Sequence, residues 1–152
     1  MRSSNPGTPT ARPGAYRPAP ARAPLTQEKT KTGAPLRILV VDDCEEAAGL
    51  LASLLKLADH EVAIARDAEQ ALLSAASFHP DCVILDLALP GVSGLELARR
   101  LSAESRGRPL RLIALSGWSP DEYAAAAEAA GCEQYLTKPV DFARLDALLS
   151  AN

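Results

Sequence analysis

From Leu36 onward, short unbroken apolar runs alternate with longer stretches in which apolar residues recur every three or four positions. An unbroken run fits a parallel strand buried on both faces; the three–four recurrence marks the apolar side of a helix. RILVV predicts a first strand ending at Asp42 and Asp43. EEAAGLLASLLKLA then predicts a helix with a stripe of Leu50, Leu51, Leu54, Leu55 and Leu57. EVAIA (61–65) predicts the second strand, and Asp67 with Gln70 is a capping-box start for the second helix. CVILD predicts a third strand ending at Asp86, followed by a turn at Pro90 and Gly91 and a helix opening at Ser93 to Glu96. RLIAL (111–115) predicts the fourth strand and stops at Ser116 and Gly117. Ser119 as N-cap, Pro120 at N1 and Glu122 at N3 start an Ala-rich fourth helix, and Gly131 suits the C′ position. EQYL (133–136) predicts the last strand, leading through Lys138 and Pro139 to a helix near Phe142–Leu149.

Five such βα units predict one doubly wound α/β domain over residues 36–152, a parallel sheet with helices on both faces and right-handed crossovers. Periodicity leaves the strand order open. Ligands of such sheets bind beyond the carboxyl ends of the strands. The residues there are Asp42 and Asp43, Asp86, Ser116 and Lys138. Each alone has an ordinary explanation: a helix-capping pair, a turn acid, a loop serine, a surface lysine. Together on one rim they have a specific chemistry. Clustered carboxylates repel one another unless a cation compensates, and oxygen-only ligands select a hard ion such as Mg²⁺. A carboxylate can serve as a nucleophile and become an aspartyl phosphate, with a metal, an ammonium and a hydroxyl to stabilise the phosphoryl oxygens.

Charge divides the chain. Residues 1–35 hold seven of the twelve prolines and six of the sixteen Lys/Arg, with Glu28 their only acid, a net charge of +5. Residues 36–152 hold ten Lys/Arg against eighteen Asp/Glu, a net charge of −8. The first segment has too few large apolar side chains to offset the entropy of ordering, so it is expected to be a disordered Pro/Arg-rich tail. A linker and a weak docking arm for something acidic are both open to it. It has no apolar core of a secretory signal, and no run of apolar residues is long enough to span a membrane. Cys44, Cys82 and Cys132 lack metal-ligand spacing, and an odd, dispersed set fits reduced thiols in a cytoplasm.

ILVVDD, VILDLALPGVSGLEL, IALSG and YLTKPVD, in that order and spacing, resemble the strand-end motifs of the receiver domains of two-component signalling. The resemblance covers residues 36–152. It implies a flavodoxin-like five-stranded sheet of order 2-1-3-4-5 with five helices. It also implies that Asp86 is the phosphoacceptor and that Asp42, Asp43, Asp86 and the backbone carbonyl of Ala88 bind Mg²⁺. Ser116 would bond the phosphoryl group and Lys138 pair with it, and Lys138–Pro139 would be a cis peptide. Tyr135 matches the family's switch aromatic, which turns inward as Ser116 moves; a half-buried tyrosine with its hydroxyl in water is the alternative. Trp118 is open to a role in a partner surface or to packing over its own loop. Gly117 leaves access to the phosphoryl group open, while Ala88 offers no polar side chain to assist hydrolysis.

The implied activity is self-catalysed phosphorylation and dephosphorylation, with a histidine kinase or histidine phosphotransfer protein as donor and an unidentified protein target downstream. Three forms stay open: a stand-alone regulator, a phosphorelay intermediate, or the C-terminal receiver of a hybrid histidine kinase. Met1 favours the first. With the sequence ending at Asn152, soon after the fifth helix, and the domain acidic, direct DNA binding is not expected, since phosphate contacts need clustered Lys/Arg that only the tail could offer. An aspartyl-nucleophile phosphatase would be expected to carry a second acid where Ala88 stands. Oligomeric state is left open.

Overall fold

The computed structural model describes residues 34–105, 107 and 109–150. The tail expected over residues 1–35 therefore lies outside the described residues except for its last two. Among the described residues strands and helices alternate: β1 (Arg37–Val41), α1 (Glu45–Leu57), β2 (Glu61–Ala65), α2 (Ala68–Phe78), β3 (Cys82–Asp86), α3 (Gly94–Glu104), β4 (Arg111–Ser116), α4 (Pro120–Ala129), β5 (Gln134–Thr137) and α5 (Phe142–Ser150). Residues 35–146 form one compact unit; of the described residues, Ala34 and the end of α5 (147–150) are not part of it.

The strands form one parallel sheet in the order β2-β1-β3-β4-β5. This is the flavodoxin-like order, with the chain reversing direction across the sheet between β1 and β3. The inner strands β1, β3 and β4 are unbroken apolar runs because both of their faces are covered, whereas β2 at the edge leaves Ile64 41% exposed. Leu39, Val41, Val83, Leu85, Leu112 and Ala114 join the core cluster with α2, α3 and α4, through residues such as Ala71, Leu97, Leu101 and Ala127. Side chains alternate along a strand, so Ile38, Val40, Ile84 and Ile113, each at most 1% exposed, point to the opposite face.

Local signals set the helix starts. Asp67 Oδ1 accepts from Gln70 N at 2.8 Å, Ser93 Oγ from Glu96 N at 3.1 Å, and Ser119 Oγ from Asp121 N at 3.1 Å. Gly131, with φ at +107°, takes the left-handed position after α4. The leucine stripe of α1 divides, however. Leu51 and Leu55 are buried with Ala48 and Ala52, whereas Leu50 is 64% exposed and Leu57 80%. The buried set recurs at three- and four-residue steps on one side of the helix; Leu50 and Leu57 lie beside it, on an apolar arc wider than the sheet covers. β5 also starts one residue later than the apolar pattern and includes Thr137, which pairs with Ser116 at the end of β4.

Candidate functional site

β1 and β3 are neighbours in step, with Val41 opposite Leu85, so the next residues along each, Asp42 and Asp86, emerge side by side. Both are nearly buried, at 5% and 4% exposure, while Asp43 is exposed. Carboxylate oxygens of all three lie within 4.8 Å of one another. Lys138 reaches in from the end of β5: its Nζ donates to Asp86 Oδ2 at 3.0 Å and to Asp42 Oδ2 at 3.4 Å. Its backbone is fixed as well, since Lys138 N donates to the Ser116 carbonyl at 2.8 Å, and the Lys138–Pro139 peptide is cis.

The other oxygens of the two buried carboxylates are held by backbone amides two residues on. Asp42 Oδ1 accepts from Cys44 N and Asp86 Oδ1 from Ala88 N, each at 2.9 Å. The helix-capping alternative for Asp42 and Asp43 is not what the chain adopts, because Cys44 is the N-cap residue of α1. Burial and the charge of Asp86 raise the Asp42 pKa, against the lowering effects of the Cys44 amide and of Lys138. Burial disfavours the Lys138 charge, but the hydrogen bonds and charges of Asp86 and Asp42 outweigh it and raise that pKa. The rim is thus a crowded anionic pocket with a single ammonium across it. Its all-oxygen donor set and residual repulsion suit a hard divalent cation such as Mg²⁺.

Ser116 is fully buried, and its Oγ accepts from Trp118 N at 2.9 Å. Tyr135 donates its hydroxyl to the Trp118 carbonyl, also at 2.9 Å. Trp118 is 43% exposed, and its ring lies 4.6 Å, centre to centre, from that of Tyr123 on α4. The structure therefore brings Asp42, Asp43, Asp86 and Lys138 directly together and joins Ser116 and Tyr135 through the backbone of Trp118. Ala88 is exposed and contributes its amide to Asp86.

Sequence reasoning missed a groove beside this rim. Leu50, Leu51 and Leu54 of α1 face Pro139, Val140 and Phe142 across a cavity of about 520 Å³, which Asp42 and Lys138 also line. The signal was the surplus width of the α1 stripe. No helix among the described residues is long and apolar enough to cross a membrane.

Comparison with known proteins agrees with this geometry. The family model of the response regulator receiver domain matches residues 38–150. The two-component response regulator PhoP of Pseudomonas aeruginosa is 34% identical over 116 residues, 76% of this chain and 51% of that protein. A protein-glutamate methylesterase/protein-glutamine glutaminase of Myxococcus xanthus is 38% identical over 111 residues, 72% of this chain and 32% of its own length. The chain thus spans about half or less of these relatives. Among solved structures, a Burkholderia pseudomallei response regulator with a phosphorylated aspartic acid, calcium ion and citrate superposes with a TM-score of 0.70 at 31% identity, covering 76% of this chain and 67% of that one. A CheY-like receiver domain from Methylobacillus flagellatus gives 0.71 at 28% identity, covering 78% and 98%. With its five-stranded order, its acidic rim and a family match across the whole sheet, this chain belongs to the response regulator receiver domains.

Proposed function

We propose that residues 36–152 act as a cytoplasmic phosphoacceptor domain, taking a phosphoryl group from a phosphohistidine donor onto Asp86 in a Mg²⁺-dependent reaction. The observation that carries this reading is the meeting of three carboxylates within 4.8 Å with a lysine bonded to two of them. The phosphorylated aspartic acid in the Burkholderia pseudomallei relative supports the same assignment.

In this reading an Asp86 oxygen attacks the phosphorus, the donor's P–N bond breaks, and the imidazole leaves. Asp42, Asp43, Asp86 and the Ala88 carbonyl would hold the ion, which when bound would neutralise charge on the phosphoryl oxygens. Lys138, already 3.0 Å from Asp86 Oδ2, follows the charge onto the transferred group. Ser116 turns its hydroxyl from the Trp118 amide to a phosphoryl oxygen, and Tyr135 moves with the loop, changing the surface offered to a downstream protein. The donor is a histidine kinase or histidine phosphotransfer protein. It docks in the apolar groove of α1 and residues 139–142, which opens beside the acceptor.

The test is intact mass spectrometry after incubation with Mg²⁺ and a small phosphodonor such as acetyl phosphate. The wild type should gain one phosphoryl group, stable in acid and labile in base, and chelation or Asp86→Asn should abolish it. The same adduct on the Asn variant would refute the assignment.

A further inference from the structure

Gly94 opens α3, and its neighbour is backbone. A Cβ added there would lie 2.4 Å from Leu87 Cα, 2.8 Å from the Leu87 carbonyl oxygen and 2.9 Å from its carbonyl carbon. Carbon atoms in contact stay about 3.5–4.0 Å apart, so no side chain fits without displacing main chain. Gly94 is not among the positive-φ glycines, so the requirement is for space. The close approach lets Gly94 N donate to the Leu87 carbonyl at 3.2 Å.

Leu87 directly follows the acceptor aspartate. Its amide donates to the Leu115 carbonyl of β4 at 2.9 Å, and the next amide, Ala88 N, holds Asp86 Oδ1 at 2.9 Å. Leu87 is thus clamped between β4 and the start of α3. Neither wall yields easily: Leu87 is 3% exposed, and α3 is anchored by Leu97, Ala98 and Leu101, at 0%, 0% and 2%. A methyl group at position 94 would instead swing the Leu87–Ala88 peptide, which carries the amide that orients Asp86 and leads into the Ala88 carbonyl.

We propose that Gly94 is a positioning residue for the cation and acceptor site: its missing side chain lets α3 close on Leu87 and fixes the Leu87–Ala88 peptide against Asp86. The inference rests on the reading of Asp86 and Ala88 as ion ligands given above. It predicts that Gly94→Ala, in the full chain, weakens Mg²⁺ binding by about ten- to a hundredfold, as loss of a group supporting metal ligands does.

Isothermal titration with Mg²⁺, run where circular dichroism shows both proteins folded, separates the possible failures. Stoichiometry reports the competent fraction and Kd reports the geometry of the site. A lower melting temperature with an unchanged Kd would make Gly94 merely structural and overturn the proposal. If the wild type itself binds no Mg²⁺, the ion-site reading fails first and takes this inference with it. Should Gly94→Ala not fold, the wild type decides. NMR amide exchange should slow at both Ala88 and Gly94 when Mg²⁺ is added, and a response at Ala88 without one at Gly94 would refute the coupling.

Discussion

Removing one carboxylate from the rim should make the metal-free protein more stable. Asp43 is the cleanest choice, because the two ion pairs of Lys138 go to Asp42 and Asp86 and Asp43 adds charge outside them. With oxygens within 4.8 Å, each like-charge pair costs about 3.5 kcal/mol at an effective dielectric near 20 and about 0.9 kcal/mol in water. Asp43 is exposed, so the lower figure governs. Two such pairs, less the attraction of Lys138, leave about 1 kcal/mol, or about 4 °C in melting temperature for a domain of this size. Asp43→Asn should therefore melt above wild type in EDTA at neutral pH. Asp86→Asn should gain less, because it also weakens the 3.0 Å bond to Lys138.

Two linked measurements sharpen the test. Mg²⁺ at ten times its Kd should stabilise the wild type by about 1.4 kcal/mol, and the Asn variant less, since Asp43 is one of the proposed ligands. The pH dependence follows from Asp42, whose folded pKa is raised above the ordinary 3.8 by burial and by Asp86. Between the unfolded and folded values the folded state holds the extra proton. The contribution of Asp42 is thus fully present below 3.8 and is lost as pH rises through the folded pKa. The metal-free wild type should lose stability over that window, and the advantage of Asp43→Asn should shrink toward pH 4. If the variant melts at or below wild type in EDTA at pH 7.5, the acids act first as structural supports and the account of a strained, cation-seeking rim is wrong.

Two further predictions concern single residues. Ala88→Asn, which places a polar side chain two residues past the acceptor, should shorten the lifetime of the Asp86 phosphoryl group by about tenfold or more; an unchanged rate of loss in a mass-spectrometric time course would count against it. Burial pushes the Cys82 thiol up to about 12 and Cys132 up to about 11, while Cys44 is exposed. A thiol reagent at pH 8 should accordingly label Cys44 alone in the native chain and all three cysteines after denaturation, and rapid native labelling of Cys82 would contradict the core packing.

The sequence made the alternation of elements legible because the inner strands β1, β3 and β4 are buried on both faces and the starts of α2, α3 and α4 carry capping side chains at Asp67, Ser93 and Ser119. Asp42, Asp86 and Lys138 stood out because the carboxyl ends of parallel strands share one rim, whichever order the strands take. The order itself came from the family resemblance, since nothing in the periodicity of RILVV or CVILD says which strands are neighbours. Leu50 and Leu57 read as core because a helical stripe gives the apolar arc but not how much of it the sheet will cover. Contacts made by backbone left the faintest trace. Gly94 looked like an ordinary residue in a helix start, and its demand for space depends on Leu87 lying against it.

The same is true of the link between Ser116 and Tyr135, and it explains how a buried event could reach the surface. One residue, Trp118, gives its N–H to the Ser116 hydroxyl and its carbonyl to the Tyr135 hydroxyl. Ser116 has no solvent contact, whereas Trp118 is 43% exposed and its ring packs on Tyr123. In the proposed cycle Ser116 gives up the Trp118 amide for a phosphoryl oxygen. That part-buried amide then turns to water or another acceptor, since a backbone N–H is an obligatory donor. Any shift that satisfies it also moves the carbonyl holding Tyr135 and the indole ring stacked on Tyr123. A side-chain rotation inside the core thus becomes a rearrangement of three aromatic residues. Trp118 is the chain's only tryptophan, so its fluorescence would report that step directly.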